Sequence, residues 1–440
     1  MIMRRIELAR GRSLPDGELR SGGGVDPEVL SVAARIVDDV RVRGDEAVAE
    51  YTERFDGVAV PVLRVTSAEI EAAVASVPPE FRDAIAVAAA SIEEFHERQL
   101  PQSWFTTKDG VLTGQKVTPI RRVGIYVPGG RACYPSSVLM NAIPAVVAGV
   151  EEIAMVVPPA KDGTVNPYVL AAAAEVGVSE IYKVGGAQAI AALAFGTKSI
   201  PRVDKITGPG NAYVTAAKKL VVGDVGIDML AGPSEVCVLA DETAEPAFVA
   251  IDLMAQAEHD PNAQTFLVTC DATLPDEVEE ALDVLLAEAP RADVIRRSLT
   301  DNGLIVVVED EMAAIDVANQ IAPEHLEIMM AEPFELLGQV RNAGAIFLGP
   351  WTPESVGDYV AGPNHVLPTG GTARFSSPLS VEDFIKRSSI ISYSRSALEA
   401  EAATIVTIAE AEGLDAHADA VALRLEIAAE ADAEADAGRN

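Results

Sequence analysis

Imidazole is the commonest side-chain metal ligand and the group best suited to moving protons near neutral pH. The chain has five histidines in 440 residues. Four of them have a carboxylate nearby in sequence: His259 in Gln256-Ala257-Glu258-His259-Asp260, His325 after Glu324, His365 seven residues past Asp358, and His417 five past Glu412. Four such imidazoles point to one assembled metal-and-base site, and so to an enzyme. The fifth, His96, lies in a charged helical run, Glu93-Glu94-Phe95-His96-Glu97-Arg98, and reads as part of a solvated face.

Taken singly, each pair has a bland reading as well. Gln256 and His259 are three apart on an expected helix and share a face, as solvated polar residues also do. Asp358 and His365 flank a Gly/Pro turn that can aim two side chains at one point without any function. Gly413 marks a helix stop between Glu412 and His417, which would place His417 at a helix carboxyl end as a stabilising cation. Glu324 and His325 open an expected strand, where neighbours point to opposite faces. At the mouth of a sheet, however, both reach a ligand held between modules.

The elements that must position these residues alternate. Helices are expected over 27–55 and 79–97 and a strand-like stretch over 114–127, closed by Pro128-Gly129-Gly130. Short apolar strands (152–157, 180–184, 203–206) then alternate with helices (137–150, 167–176, 187–195, 211–221). A second alternation places strands at 235–239, 264–269, 304–308, 325–329 and 345–348, with helices at 244–258, 275–287 and 312–321. Helices over 396–412 and 418–430 end the chain. Such alternation predicts an α/β fold of parallel βα units. It resolves into two Rossmann-like parallel-sheet modules of similar size, suggesting internal duplication, with an N-terminal helical region and a C-terminal helical extension. The expected boundaries are 1–113, 114–234, 235–380 and 381–440. Glycine-rich turns at Tyr126-Val127-Pro128-Gly129, Gly185-Gly186-Ala187-Gln188 and Gly208-Pro209-Gly210-Asn211 each join a strand to a helix, where backbone can approach a phosphate-bearing ligand. None is the Gly-x-Gly-x-x-Gly fingerprint with its later acidic residue, so these turns specify a ligand and not its identity.

Net charge is −33, which argues against nucleic acid and anionic membranes as partners. Nine Lys stand against 25 Arg, and an acidic surface poor in Lys fits work in concentrated salt and a salt-adapted source. Cys133, Cys237 and Cys270 are too few and scattered for a disulfide framework or a thiolate zinc site. The charged start holds no signal-peptide core, and no apolar run nears the ~18 residues of a membrane span. A cytoplasmic location is expected.

Taken together, the blocks Arg122–Gly130, Gly185–Ala189, Lys205–Val214, Asp228–Glu235 and Asn364–Thr369 closely resemble the histidinol dehydrogenase family over nearly the whole chain. The resemblance implies oxidation of L-histidinol to L-histidine through the aldehyde, with two NAD per substrate. It implies one Zn2+ per subunit on Gln256, His259, Asp358 and His417, and catalysis by His325 as general base with Glu324 activating water. It places substrate contacts on Ser234, Gln256, His259, His325, Asp358, His365, Glu412 and His417, and NAD contacts on Tyr126, Gln188 and Asn211. It also implies a homodimer in which Glu412 and His417 reach the partner's site. The segment Arg131–Ser136 departs from the family pattern, leaving its NAD contacts open and bringing Cys133 into view as a covalent nucleophile, although no activating group accompanies it in sequence. A zinc hydrolase, a structural zinc protein and a dehydrogenase of another amino alcohol are the competing classes.

Overall fold

The computed structural model describes residues 2–15, 17–18, 24–129 and 133–437; the expected cofactor loop at Gly130, Arg131 and Ala132 therefore lies outside the described residues. The chain divides into two compact units, Met1–Leu100 with Pro119–Phe384, and Pro101–Thr118 with Ile385–Asn440.

The first unit is α/β and contains two parallel sheets. One has the order Glu180–Lys183, Glu152–Val157, Arg122–Tyr126, Lys205–Thr207, Gly226–Ile227. The other runs Arg4–Glu7, Gly303–Val307, Gln264–Thr269, Glu235–Ala240, His325–Met329, Ala345–Leu348. Apart from the added edge strand Arg4–Glu7, both sheets place their strands in the chain order 3-2-1-4-5. The duplication suggested by the sequence is thus visible in topology. The strands Glu235–Ala240, Gln264–Thr269 and His325–Met329 are buried throughout, as expected of parallel strands covered on both faces.

Order 3-2-1-4-5 reverses direction between its first and fourth strands, and that switch point opens a crevice. In the first sheet it falls between Tyr126 and Thr207, at the strands' carboxyl ends. In the second it falls between Glu235–Ala240 and His325–Met329, and there the candidate residues gather at the amino ends. The register pairs His325 with Val236, so Glu324 lies beside Glu235.

Several elements differ from the sequence reading. The stretch expected as one strand over 114–127 is two. Val111–Pro119 pairs antiparallel with Trp104–Lys108, while Arg122–Tyr126 enters the parallel sheet. Both halves are β-rich, and the change of sheet at Ile120 and Arg121 leaves no mark on periodicity. The hairpin closes through Asp109 and Gly110 at φ 51° and 80°, a two-residue turn suited to twisted strands. The expected helix over 27–55 breaks at Gly44 (φ 58°) into Pro27–Arg43 and Asp45–Asp56. A helix at Ala292–Asn302 and the short strand Gly226–Ile227 were not legible in the sequence.

The second unit carries the sheet Ile385–Tyr393, Val111–Pro119, Trp104–Lys108 and two helices, Arg395–Ala411 and Asp415–Ala437. None of the described helices is long and apolar enough to cross a membrane.

Candidate active site

The first switch point opens into a cleft of about 1,210 Å³ lined by Tyr126, Gln188 and Asn211, the three residues expected to contact a dinucleotide. Tyr126 ends its strand buried, and its hydroxyl accepts a hydrogen bond from Gly186 N at 3.0 Å. Burial pushes that phenol up to about 12. Gln188 is 1 % exposed, and both heteroatoms of its amide lack a partner among the described residues. Asn211 caps the helix Ala212–Val221, its Oδ1 accepting from Tyr213 N and Val214 N at 3.0 and 3.1 Å. Gly208 adopts φ 113° with its α-carbon against the Tyr126 backbone; a Cβ there would lie 2.1 Å from the Tyr126 carbonyl oxygen. An orphaned buried amide, close backbone approach at glycine and helix amino termini facing one crevice fit a dinucleotide.

The second group converges at the amino end of the other sheet. His325 Nδ1 lies 3.0 Å from the Glu235 carbonyl, so its N–H donates there and Nε2 carries the free lone pair. That Nε2 is buried and has no partner among the described residues. Glu324 Oε2 accepts from Glu235 N at 2.9 Å, so the adjacent pair grips both polar groups of one residue. Neighbours expected to diverge therefore stay together, with 3.8 Å between Glu324 Oε2 and His325 Nδ1. Burial pushes His325 down to about 4, with Asp358 opposing the shift. This differs from the value near ~6.5 expected of an ordinary imidazole, and it keeps the ring neutral across the physiological range. Burial raises Glu324 well above the usual carboxylate range, and the Glu235 and Asp358 charges add to the rise.

Gln256 lies in the last turn of the helix Pro246–Ala257, and His259 follows its C-cap Glu258. With its amide turned to donate, Gln256 Nε2 reaches Glu354 Oε2 at 2.9 Å and the Glu235 carbonyl at 3.2 Å. His259, Glu354 and Asp358 each present a ligand atom within 4.8 Å of the others. His365 Nδ1 is 3.7 Å from Asp358 Oδ1 and 3.2 Å from its carbonyl. Ser234 is half-buried immediately before the strand that Glu235 begins. The structure thus brings Gln256, His259, Glu324, His325, Asp358 and His365 into one neighbourhood.

Glu354 was missed by the sequence reading. Its signal was spacing, because Glu354 and Asp358 are four apart on one face of the helix Glu354–Tyr359. Burial, followed by the charges of Asp358, Glu324 and Glu327, raises it well above the usual range. No Lys or Arg pairs with Glu324, Glu354 or Asp358 among the described residues. A crowded carboxylate and imidazole set at the negative end of a helix, without a basic side chain to balance it, fits a divalent cation with mixed N/O ligands.

Glu412 and His417 lie in the second unit. Glu412 is the exposed C-cap of Arg395–Ala411, and Gly413 has φ 70°, so the expected stop is present. His417 is exposed in the first turn of Asp415–Ala437. A helix amino end disfavours a cation, so the reading of His417 as a helix-end cation does not hold.

His96 also departs from expectation. It is fully buried, its Nδ1 donating to the Ile92 carbonyl at 2.7 Å and its Nε2 3.4 Å from Asn364 Nδ2. Ala88, Ile92 and His96 recur every four residues and form the buried stripe of Pro79–Glu97; charges on the other faces disguised it. Cys133 is exposed, whereas burial raises the thiol pKa of Cys237 and Cys270, which favours inert thiols.

Two duplicated parallel sheets, a large switch-point cleft and a buried carboxylate–imidazole cluster define an α/β enzyme. The histidinol dehydrogenase family model matches residues 21–425. The chain is 56% identical over 381 residues to histidinol dehydrogenase of Halalkalibacterium halodurans, covering 86% of this chain and 90% of that one. It is 55% identical over 381 residues to the Bacillus subtilis histidinol dehydrogenase, covering 86% and 89%. A crystal structure of histidinol dehydrogenase from Elizabethkingia anophelis aligns with TM-score 0.90 and 38% identity over 97% of this chain and 98% of that one. The chain belongs to the histidinol dehydrogenase family and is an oxidoreductase.

Proposed function

We propose that the protein oxidises L-histidinol to L-histidine in two steps through L-histidinaldehyde, using two NAD per histidinol and one zinc ion per subunit, as the last step of histidine biosynthesis in the cytoplasm. The observation that carries this reading is the buried, unpartnered Nε2 of His325 beside the Gln256–His259–Glu354–Asp358 cluster. When bound, zinc supplies an anchor for the substrate's nitrogens and the dinucleotide supplies a hydride acceptor.

The chain's own residues do the rest. Nε2 of His325 takes the hydroxyl proton of the alcohol, while Nδ1, donating to the Glu235 carbonyl, keeps the ring in the tautomer that can accept. Glu324, made more basic by burial, takes a proton from the water that adds to the aldehyde carbon. His325 then accepts the hydroxyl proton of the hydrate in the second oxidation. Gln256, His259 and Asp358, with His417 of the partner subunit, would hold the metal, and Glu354 would orient Gln256 through its hydrogen bond. Ser234, His365 and the partner subunit's Glu412 hold the substrate. Fixing the reacting carbon this way removes orientational entropy from the chemical step.

Division of labour follows the modules, with residues 114–234 on the NAD side and 235–380 carrying the zinc and catalytic groups. The homodimer is supported by the second unit, where Ile391, Ile408, Leu423 and Ile427 are each more than half exposed. Function in concentrated salt is supported by the net charge of −33. The decisive experiment measures NADH formed per histidinol consumed. A ratio near two is expected; a ratio near one means the aldehyde is released, and no NADH removes the reading.

A further inference from the structure

The first cleft contains a carboxylate that no part of the reaction uses. Asp56 is the last residue of the helix Asp45–Asp56 and lines the same cleft as Tyr126, Gln188 and Asn211. Its Oδ2 is buried without a partner among the described residues. The placement is unfavourable in two respects. A carboxylate at a helix carboxyl end faces the negative end of the helix dipole, and a buried carboxylate oxygen without a donor loses its hydration uncompensated. Burial accordingly pushes Asp56 up to about 6. Its charge is felt at the Tyr126 hydroxyl, which brings it close to a residue already placed at the dinucleotide. Phe55 offers the cleft a half-exposed ring on which a base can stack, and Lys161 offers a cation suited to a diphosphate.

A dinucleotide has, besides its phosphates and bases, vicinal ribose hydroxyls whose natural acceptor is a carboxylate. None of the glycine-rich turns is the Gly-x-Gly-x-x-Gly fingerprint with the later acidic residue that usually does this. We propose that Asp56, supplied from the flanking N-terminal helices, is the cofactor-specificity residue: its carboxylate accepts the hydroxyls of a dinucleotide ribose and repels a ribose bearing a 2′-phosphate, so the enzyme takes NAD and rejects NADP. The proposal rests on the reading of this cleft as the NAD site. The ligand's hydroxyls are the missing donors for Oδ2, which accounts for a group that is costly to the unliganded protein.

The test compares wild type, Asp56→Asn and Asp56→Ala, each with zinc bound. NADH and NADPH affinities are titrated by nucleotide fluorescence without histidinol, and the Tm of the nucleotide-free proteins is recorded. Wild type is expected to bind NADH at least ~100-fold tighter than NADPH, and Asp56→Asn to weaken NADH about tenfold while bringing the two affinities within about threefold, the range set by losing a hydrogen bond to a charged acceptor together with a like-charge repulsion. The Tm of Asp56→Asn is expected to rise, because an unpaired charge has been removed. Equal affinities in wild type, or a preference unchanged in both variants, would overturn the proposal and leave NAD binding intact. Failure of wild type to bind either nucleotide would overturn the dinucleotide reading itself.

Discussion

His325 places Nδ1 3.0 Å from the carbonyl of Glu235 and leaves Nε2 without a partner among the described residues. A backbone carbonyl cannot be titrated, so the tautomer is held at every pH at which the ring is neutral. Replacing His325 with Gln should lower kcat by about 10²–10⁴-fold with little change in KM for histidinol, the usual range for loss of a general base. Steady-state kinetics decide this; a raised KM at constant kcat would make the residue a binding group only.

Removal of the metal follows from the cluster of His259, Glu354 and Asp358. A chelator should abolish activity and lower Tm, since a ligand bound only to the folded state stabilises it. Added zinc should restore both. Activity indifferent to exhaustive chelation would dismiss the metal assignment.

If His417 completes the partner's site, two crippled chains should complement each other. Mixing His417→Asn subunits with His325→Gln subunits gives heterodimers in which one of the two sites is intact. Random exchange should recover about one quarter of wild-type activity for a C2 dimer. Verified heterodimers with no recovered activity would mean that each site is built from a single chain.

Lys218 and Asp228 form an ion pair with side chains 3% and 1% exposed. The pair straddles one glycine: Lys218 Nζ donates to the Gly208 carbonyl at 3.0 Å, and Gly208 N donates to Asp228 Oδ2 at 2.8 Å. Breaking a buried pair from one side strands a charge, so Lys218→Met should cost about 3–5 kcal/mol of stability. The double variant with Asp228→Asn should cost less than the two singles added together. Denaturant unfolding measures all three, and strict additivity would show that the pair is not coupled.

His96 supplies a pH dependence. Burial lowers its pKa in the folded state below the unfolded value near 6.5. The folded protein therefore binds fewer protons than the unfolded chain below that pH. Its contribution to stability is complete above pH ~6.5 and is lost as pH falls, at up to about 1.4 kcal/mol per pH unit for one group. Unfolding titrations between pH 5 and 8 should show a shallower acid loss for His96→Gln than for wild type. Parallel curves would mean that His96 protonates as easily folded as unfolded.

Much of the molecule was legible in the sequence. Short, mostly apolar strands such as Glu235–Ala240 and helices at 3.6-residue spacing are local patterns, and they specified α/β modules and hinted at their duplication. Glycine-rich turns between strand and helix signalled close backbone approach to some ligand, whereas Tyr126, Gln188 and Asn211 as dinucleotide contacts came from the family resemblance. Gln256 with His259, and Glu324 with His325, were found because their partners are neighbours in sequence.

Tertiary structure decided the remainder. Strand order is set by long-range pairing, which local periodicity does not encode, so the juxtaposition of Glu235 with Glu324 and the gathering of the site at the amino ends of the second sheet appear only in the fold. Glu354 and Asp56 look like surface acids in the sequence, and only the packing around them shows that each is held partly or wholly out of water. His96 went the opposite way from its reading for the same reason. A charged neighbourhood along the chain says which residues are adjacent, but burial depends on which face of the helix meets another element.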